Sequence, residues 1–294
     1  MGRYAYSSPE WERQHSLPPV YAFDVEDENE ITRLLLQHRY LSECMGGILP
    51  TSLDLSQVKR ALDAGCGAGG WVYELAWKYP SVKVMGIDQR SDLVAKAEEF
   101  VSQLGNATII QQDMRRLSHE VLPPESFDLI HTRFLVGMFS PQEYPTILSS
   151  LVHRCRIGGL FVWDELEFPF TNSQACQKLY ILIQDGLKAA GRAFSPGYAL
   201  GITPMMRSWL QEAGCKMTHD RVYAIDVSSG TKGLHAFAWQ MWALGKQIRS
   251  FLLKAGVTTE ASFDELCSQA QQEMLDEKFC GLVYLRTLVG NRIV

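Results

Sequence analysis

Leu62-Asp63-Ala64-Gly65-Cys66-Gly67-Ala68-Gly69-Gly70 closes one apolar run and opens an amphipathic one. Glycine lets a chain turn tightly and lets a ligand lie against the backbone, while the N–H groups of the following helix point at that ligand. The spacing satisfies both G-x-G-x-G and the dinucleotide fingerprint G-x-G-x-x-G, so the loop alone does not choose between cofactors. Outward from it, short apolar runs alternate with amphipathic segments from Val58 to about Val227, the pattern of βαβ units on a parallel sheet. Strands are expected near Arg60–Ala64, Val82–Asp88, Thr108–Gln112, Phe127–Thr132, Gly159–Trp163 and Met217–Ile225, with Leu282–Val289 as a last one. Helices are expected near Gly70–Lys78, Asp92–Leu104, Gln142–Arg154, Ser173–Ala190 and Thr203–Ala213.

Three segments follow. Residues 1–50 read as an arm and a cap helix, in which Leu34, Leu35, Leu41 and Met45 have helical spacing and Gly46-Gly47 ends the run. Residues 51–230 form the core. Residues 231–294 break the alternation with two helices separated by Gly256, the second opened by Ser262 with Glu265 in capping-box position, before the final strand. The expectation is an α/β, Rossmann-like, doubly wound, seven-stranded and mostly parallel sheet with an antiparallel last strand, an N-terminal arm and helical lid insertions.

The 294 residues hold 28 Lys plus Arg and 33 Asp plus Glu, a formal charge of −5, which weighs against binding to phosphate backbones. Seven scattered cysteines without a C-x-x-C pair point to free thiols rather than a disulfide framework or zinc. No run approaches the roughly 18 apolar residues of a membrane span, and Met1–Glu12 lacks an apolar signal core. The expected setting is cytoplasmic, with a small molecule as partner, no nucleic acid, no membrane span and no lipid anchor.

The acids around the loop narrow the ligand. Asp88 ends the second strand, where a carboxylate can accept from both hydroxyls of a ribose. Asp113, in Gln111-Gln112-Asp113-Met114, ends the third, placed for an adenine amino group with Met114 over the base. Asp63 sets negative charge ahead of the first glycine, which would repel a pyrophosphate and suit an ammonium or a sulfonium.

On these residues, with Phe127-Asp128-Leu129-Ile130 and Arg156-Ile157-Gly158-Gly159-Leu160, the chain resembles the class I S-adenosylmethionine (SAM) dependent methyltransferases over about residues 25–225. The closer likeness is to small-molecule enzymes of the ubiquinone-biosynthesis and secondary-metabolism type. The resemblance implies SAM as cofactor, with Gly65, Gly67 and Gly69 against it, Asp88 on the ribose, and Gln89, Asp113 and Met114 framing the adenine. It also implies Arg133 near the methionine moiety, and Arg33, four residues before Gln37 on one helix face, reaching the methionine carboxylate. Tyr21 and Phe23 are candidates to shield a sulfonium. Ile157 replaces the family's usual proline, and His131-Thr132-Arg133-Phe134 lacks the Asn/Asp-Pro-Pro-Tyr/Phe sequence of enzymes that methylate bases and glutamine.

The expected activity is methyl transfer to oxygen, nitrogen or carbon of a small apolar or aromatic metabolite. Candidate bases at strand ends are His131, Glu165 and Glu167. Aromatic residues are dense around the expected mouth, among them Trp163, Phe168, Phe170, Phe194 and Tyr198. Phe237, Trp239 and Trp242 fit that mouth, ordinary core packing or a homodimer interface equally well. No acidic cluster suited to Mg²⁺ is visible, so metal independence is expected. The alternatives are a cyclase or rearrangement enzyme that keeps SAM unconsumed, a regulatory SAM-binding protein of secondary metabolism and, remotely, an NAD dehydrogenase.

Overall fold

The computed structural model describes residues 30–294, so Tyr21 and Phe23 lie outside the described residues. Helix α1 (Glu30–Met45) is followed by β1 (Arg60–Ala64), α2 (Gly70–Lys78), β2 (Lys83–Asp88), α3 (Ser91–Val101) and β3 (Ala107–Gln111). Next come β4 (Phe127–Arg133), α4 (Tyr144–Val152), β5 (Cys155–Leu166), β6 (Phe170–Thr171) and α5 (Gln174–Ala189). The chain continues through α6 (Met206–Glu212), β7 (Cys215–Asp226), α7 (Lys232–Lys254), α8 (Glu260–Met274) and β8 (Gly281–Arg292).

The strands form one sheet ordered β3-β2-β1-β4-β5-β8-β6, with β7 also on β8. Pairing is parallel from β3 to β5 and antiparallel where β8 meets β5, β6 and β7. The doubly wound expectation with a reversed last strand holds, but the sheet has eight strands. The added β6 is two residues long and pairs with the part of β8 beyond the reach of β5, Phe170 facing Leu282 where β5 stops at Leu166 facing Leu285. A pair that short carries no period that a sequence could display.

Strand β1 is buried from Ala61 to Ala64 because helices cover both its faces. One face packs Leu62, Ile130, Trp163 and Leu288 against α4 and α6; the other packs Ala61, Leu129 and Val162 against Trp71 and Val72 of α2. A further apolar cluster joins α5 to the C-terminal helices through Leu179, Ile183, Phe263 and Met274. Gly256 separates α7 from α8 with φ of 70°, as expected. The cap of α8 is a correction: Thr259, not Ser262, holds the N-cap and accepts from the Ser262 backbone N–H. Threonine at 259 offers the same hydroxyl acceptor three residues earlier.

Candidate functional site

Gly65, Gly67 and Gly69 have φ of 79°, 54° and 80°, the left-handed region that side chains avoid. The loop is anchored to β2, with Gly65 and Cys66 N–H donating to the Ile87 carbonyl at 2.8 and 2.9 Å. A Cβ on Gly65 would meet Leu135 Cδ2 at 3.2 Å and Met114 Cε at 3.5 Å. The loop after β4 and the short 3-10 turn Met114–Arg116 therefore close over the first glycine. Helix α1 lies on the other side, where a Cβ on Gly67 would touch Leu34 at 3.5 Å and one on Gly70 would strike the His38 ring at 2.9 Å.

Asp88 is buried and ties the loop to the strand end. Its Oδ2 accepts from Gly67 N–H at 3.0 Å and its Oδ1 from Arg90 N–H at 2.9 Å. Asp113 caps the 3-10 turn by accepting from Arg115 N–H at 2.9 Å, with 39% of its side chain exposed. A carboxylate oxygen has two lone pairs, so these bonds leave both acids with acceptor capacity. Met114 is buried, while Gln89 is exposed and its carbonyl accepts from Gln111 Nε2 at 3.1 Å. Arg33 is buried and donates to Gln37 Oε1 at 3.4 Å, so the pair does share a helix face.

Alternation along the strands puts Asp63, His131, Arg133, Asp164 and Thr287 on one face of the sheet, beneath α1 and α2. His131 is buried between two acids, Nδ1 at 2.7 Å from Asp63 Oδ1 and Nε2 at 3.2 Å from Asp164 Oδ2. Carboxylates only accept, so both ring nitrogens donate and the ring is an imidazolium. Burial works against that charge, but the Asp63 charge and bonds to both acids hold the His131 pKa above its ordinary value. Trp71 stacks on the ring with centroids 4.3 Å apart and planes 1° from parallel, a cation–π geometry. Thr287 Oγ1 donates to Asp164 Oδ1 at 2.5 Å, extending the chain of bonds to β8.

Arg133 donates through Nη2 to His38 Nδ1 at 2.9 Å. Arginine cannot accept, so His38 carries its proton on Nε2 and gives it to Glu74 Oε2, 2.9 Å away. Burial, with the Arg133 charge adding to it, keeps the His38 pKa below the usual value, consistent with this neutral tautomer. Lys78 completes the row at 2.5 Å from Glu74, and despite burial these partners hold the Glu74 carboxyl at about 2. Arg133 Nη1 is buried and has no hydrogen-bond partner among the described residues.

Glu165 points to the opposite face. It is wholly buried, and its Oε1 accepts from Leu135 N–H at 2.7 Å and from Trp163 Nε1 at 3.1 Å. Its Oε2 is buried and unpartnered among the described residues. Burial pushes its pKa up to about 8, against the pull of those donors. These bonds brace the turn after β4, where Phe134 takes a left-handed φ of 57° and donates its N–H to the Asp164 carbonyl at 3.1 Å. Tyr144 donates its hydroxyl to the Leu135 carbonyl on the same turn.

His131 and Glu165 thus sit on opposite faces. His131 has no free nitrogen, and Glu165 faces a turn. Glu167 accepts from Gly201 N–H, Thr203 N–H and Thr203 Oγ1. Trp163 is core, while Phe170 and Tyr198 are exposed. Phe168 stacks on Tyr180 and Phe237 stacks on Phe279. Sequence reasoning missed Asp164, Thr287, His38 and Glu74. Asp164 had a signal, an acid directly after the apolar run Leu160-Phe161-Val162-Trp163 and still within its strand, where it must find a partner. Among the described residues no group of three or more His, Cys, Asp or Glu is arranged to hold a metal ion. Among them, too, no helix is long and apolar enough to cross a membrane.

Residues 61–159 match the methyltransferase domain family. The methyltransferase str3 of Strobilurus tenacellus is 29% identical over 162 residues, covering 55% of this chain and 52% of that protein. The methyltransferase str2 of the same organism is 29% identical over 195 residues, covering 65% and 59% respectively. The chain therefore spans little more than half the length of these relatives. In fold, it is similar to the mycolic acid cyclopropane synthase CmaA1, with a TM-score of 0.52 at 13% identity over 97% of this chain and 94% of that one.

Proposed function

We propose, for a chain that belongs to the class I SAM-dependent methyltransferases, that it transfers the methyl group of SAM to oxygen, nitrogen or carbon of a small apolar or aromatic metabolite. One observation carries the choice of SAM over a dinucleotide. The Gly67 N–H, which a pyrophosphate would need, is taken by Asp88, and Asp63 adds a second buried carboxylate beside the same loop. That lining suits a ligand whose tail carries an ammonium and a sulfonium.

The residues fit the cofactor. At Gly65 the left-handed backbone and the 3.2 Å approach of a Cβ to Leu135 Cδ2 leave no room for a side chain, so a ligand there meets bare backbone. In this reading Gly65, Gly67 and Gly69 lie under SAM, Asp88 accepts from the ribose, and Gln89, Asp113 and Met114 border the adenine. Asp63 faces the α-ammonium. Arg133, whose Nη1 lacks a partner among the described residues, takes the carboxylate together with Arg33, and Tyr21 belongs to the sulfonium side. SAM when bound supplies an activated methyl group for in-line displacement, so the protein's part is alignment and exclusion of water. His131 and Glu165, already bonded, are supports in this scheme, and an acceptor that needs deprotonation would lose its proton elsewhere.

The test is incubation with methyl-labelled SAM and a panel of apolar hydroxylated, amino and acidic-carbon metabolites, read as a gain of one CH₂ in mass with release of S-adenosylhomocysteine. Failure of the protein to bind SAM overturns the site reading. Rearranged product without mass gain, with SAM intact, identifies a cyclase instead.

A further inference from the structure

The row Asp63–His131–Asp164–Thr287 is costly to build. It buries two acids and a cation, and such groups persist only when paired and hydrogen-bonded. With Arg133 adjacent the charges balance: two carboxylates against an imidazolium and a guanidinium. The row also runs across the sheet, from β1 through β4 and β5 to β8, so each member is fixed by a different strand. The charged and titratable groups facing His131 are Asp63 on β1 and Asp164 on β5, and, farther along the same face, Arg133 on β4, His38 on α1 and Glu74 on α2.

Only one end of the row meets the glycine loop. Asp63 stands two residues before Gly65, uses Oδ1 for His131, and leaves Oδ2 without a hydrogen-bond partner among the described residues. A carboxylate on a short side chain held at one oxygen by a fixed donor has its other oxygen fixed as well. At the far end, Asp164 is held by Thr287, and the ring plane is held by Trp71. Neither His131 nor Asp164 needs to touch a ligand for this to work.

We infer that His131 is a positioning residue: clamped by Asp164 and Thr287 and stacked on Trp71, it aims the free oxygen of Asp63 at the α-ammonium of an aminoacyl-bearing nucleoside. The inference rests on the proposed reading of the glycine loop. It makes recognition of the amino-acid end, separate from recognition of adenosine, depend on a histidine outside the crevice.

The test uses calorimetry with SAM, S-adenosylhomocysteine and 5′-methylthioadenosine, the last having the nucleoside and thioether but no amino-acid end. In His131→Gln the amide nitrogen stands nearer the position of Nε2, keeping a donor for Asp164 and losing the one for Asp63. In His131→Asn it stands nearer Nδ1 and keeps the donor for Asp63. His131→Gln should lose tenfold or more in affinity for SAM and S-adenosylhomocysteine and under twofold for 5′-methylthioadenosine, and His131→Asn should recover most of the loss. Equal losses for all three ligands, or none, overturn the inference while the wild-type binding still supports the site. Wild-type protein that binds none of the three overturns the site reading itself. Nitrogen NMR of the wild-type ring does not depend on a variant folding: a proton on Nδ1, held toward Asp63, supports the clamp, and a ring with a bare Nδ1 overturns it.

Discussion

Replacing Glu165 with glutamine separates a structural carboxyl from a catalytic one. The folded protein holds this group at about 8 where the ordinary carboxyl value is 4.5, because burial outweighs the donors Trp163 and Leu135. A raised folded pKa contributes stability that is complete below pH 4.5 and is lost as pH climbs through 8. Each unit in between costs about 1.4 kcal/mol, so from pH 6 to pH 8 this one group removes roughly 2 kcal/mol, the curve flattening near its own pKa. Glutamine does not titrate and keeps an oxygen for Leu135 and Trp163. Its amide nitrogen inherits the unpartnered position of Oε2, a pH-independent cost of about 1–3 kcal/mol. The offset between the proteins is therefore uninformative, and its change with pH is the signal. Urea unfolding at pH 6, 7 and 8 should show Glu165→Gln gaining about 2 kcal/mol on the wild type across the range. The raised pKa of His131 also erodes stability with rising pH, but it is present in both proteins and cancels. SAM affinity should stay within about twofold, since the bonds to the Phe134 turn survive. Parallel stability curves would refute the buried, protonated carboxyl, and lost SAM binding would refute its role as a brace.

Asp88→Ala should weaken SAM by roughly 1.5–3 kcal/mol, the scale of a hydrogen bond to a charged group, seen by calorimetry as a loss of about ten- to hundredfold. Unchanged affinity would remove Asp88 from the ribose. Gly86→Ala probes packing behind the glycine loop: its Cβ would come within 2.8 Å of Ile109 Cδ1 and 2.9 Å of both Cys66 Sγ and Val72 Cγ2. Overpacking of this kind should lower the urea midpoint by the equivalent of about 1–3 kcal/mol, and an unchanged midpoint would mean that the gap between β2 and α2 yields freely.

What the sequence disclosed follows the range of the interactions concerned. The glycine loop and the first strands are legible because each depends on neighbours in the chain: apolar runs bounded by polar residues, and glycines where φ must be positive. Gly65, Gly67 and Gly69 all take that conformation. Strand β5 was expected from Gly159 and runs from Cys155 to Leu166, because its pairing with β8 carries the strand past the apolar run to Glu165 and Leu166. The polar face was illegible for the same reason. His131 and Asp63 are 68 residues apart in sequence, and Thr287 lies 123 residues from Asp164. Periodicity identifies which side of a strand a residue occupies but not which strand stands beside it, so His131 reads as a free base until Asp164 closes its second nitrogen.

The position of β8 also bears on biosynthesis. It follows β7 in the chain, yet it enters between β5 and β7, so the sheet cannot be joined across that gap until residues 281–292 have been made. Until then β7 has no strand to pair with, and Asp164 lacks Thr287. Once β7 is made, a nascent chain therefore carries the unpaired edges of β5 and β7 until β8 inserts, and that interval is the time at which chaperone binding or aggregation would act on it.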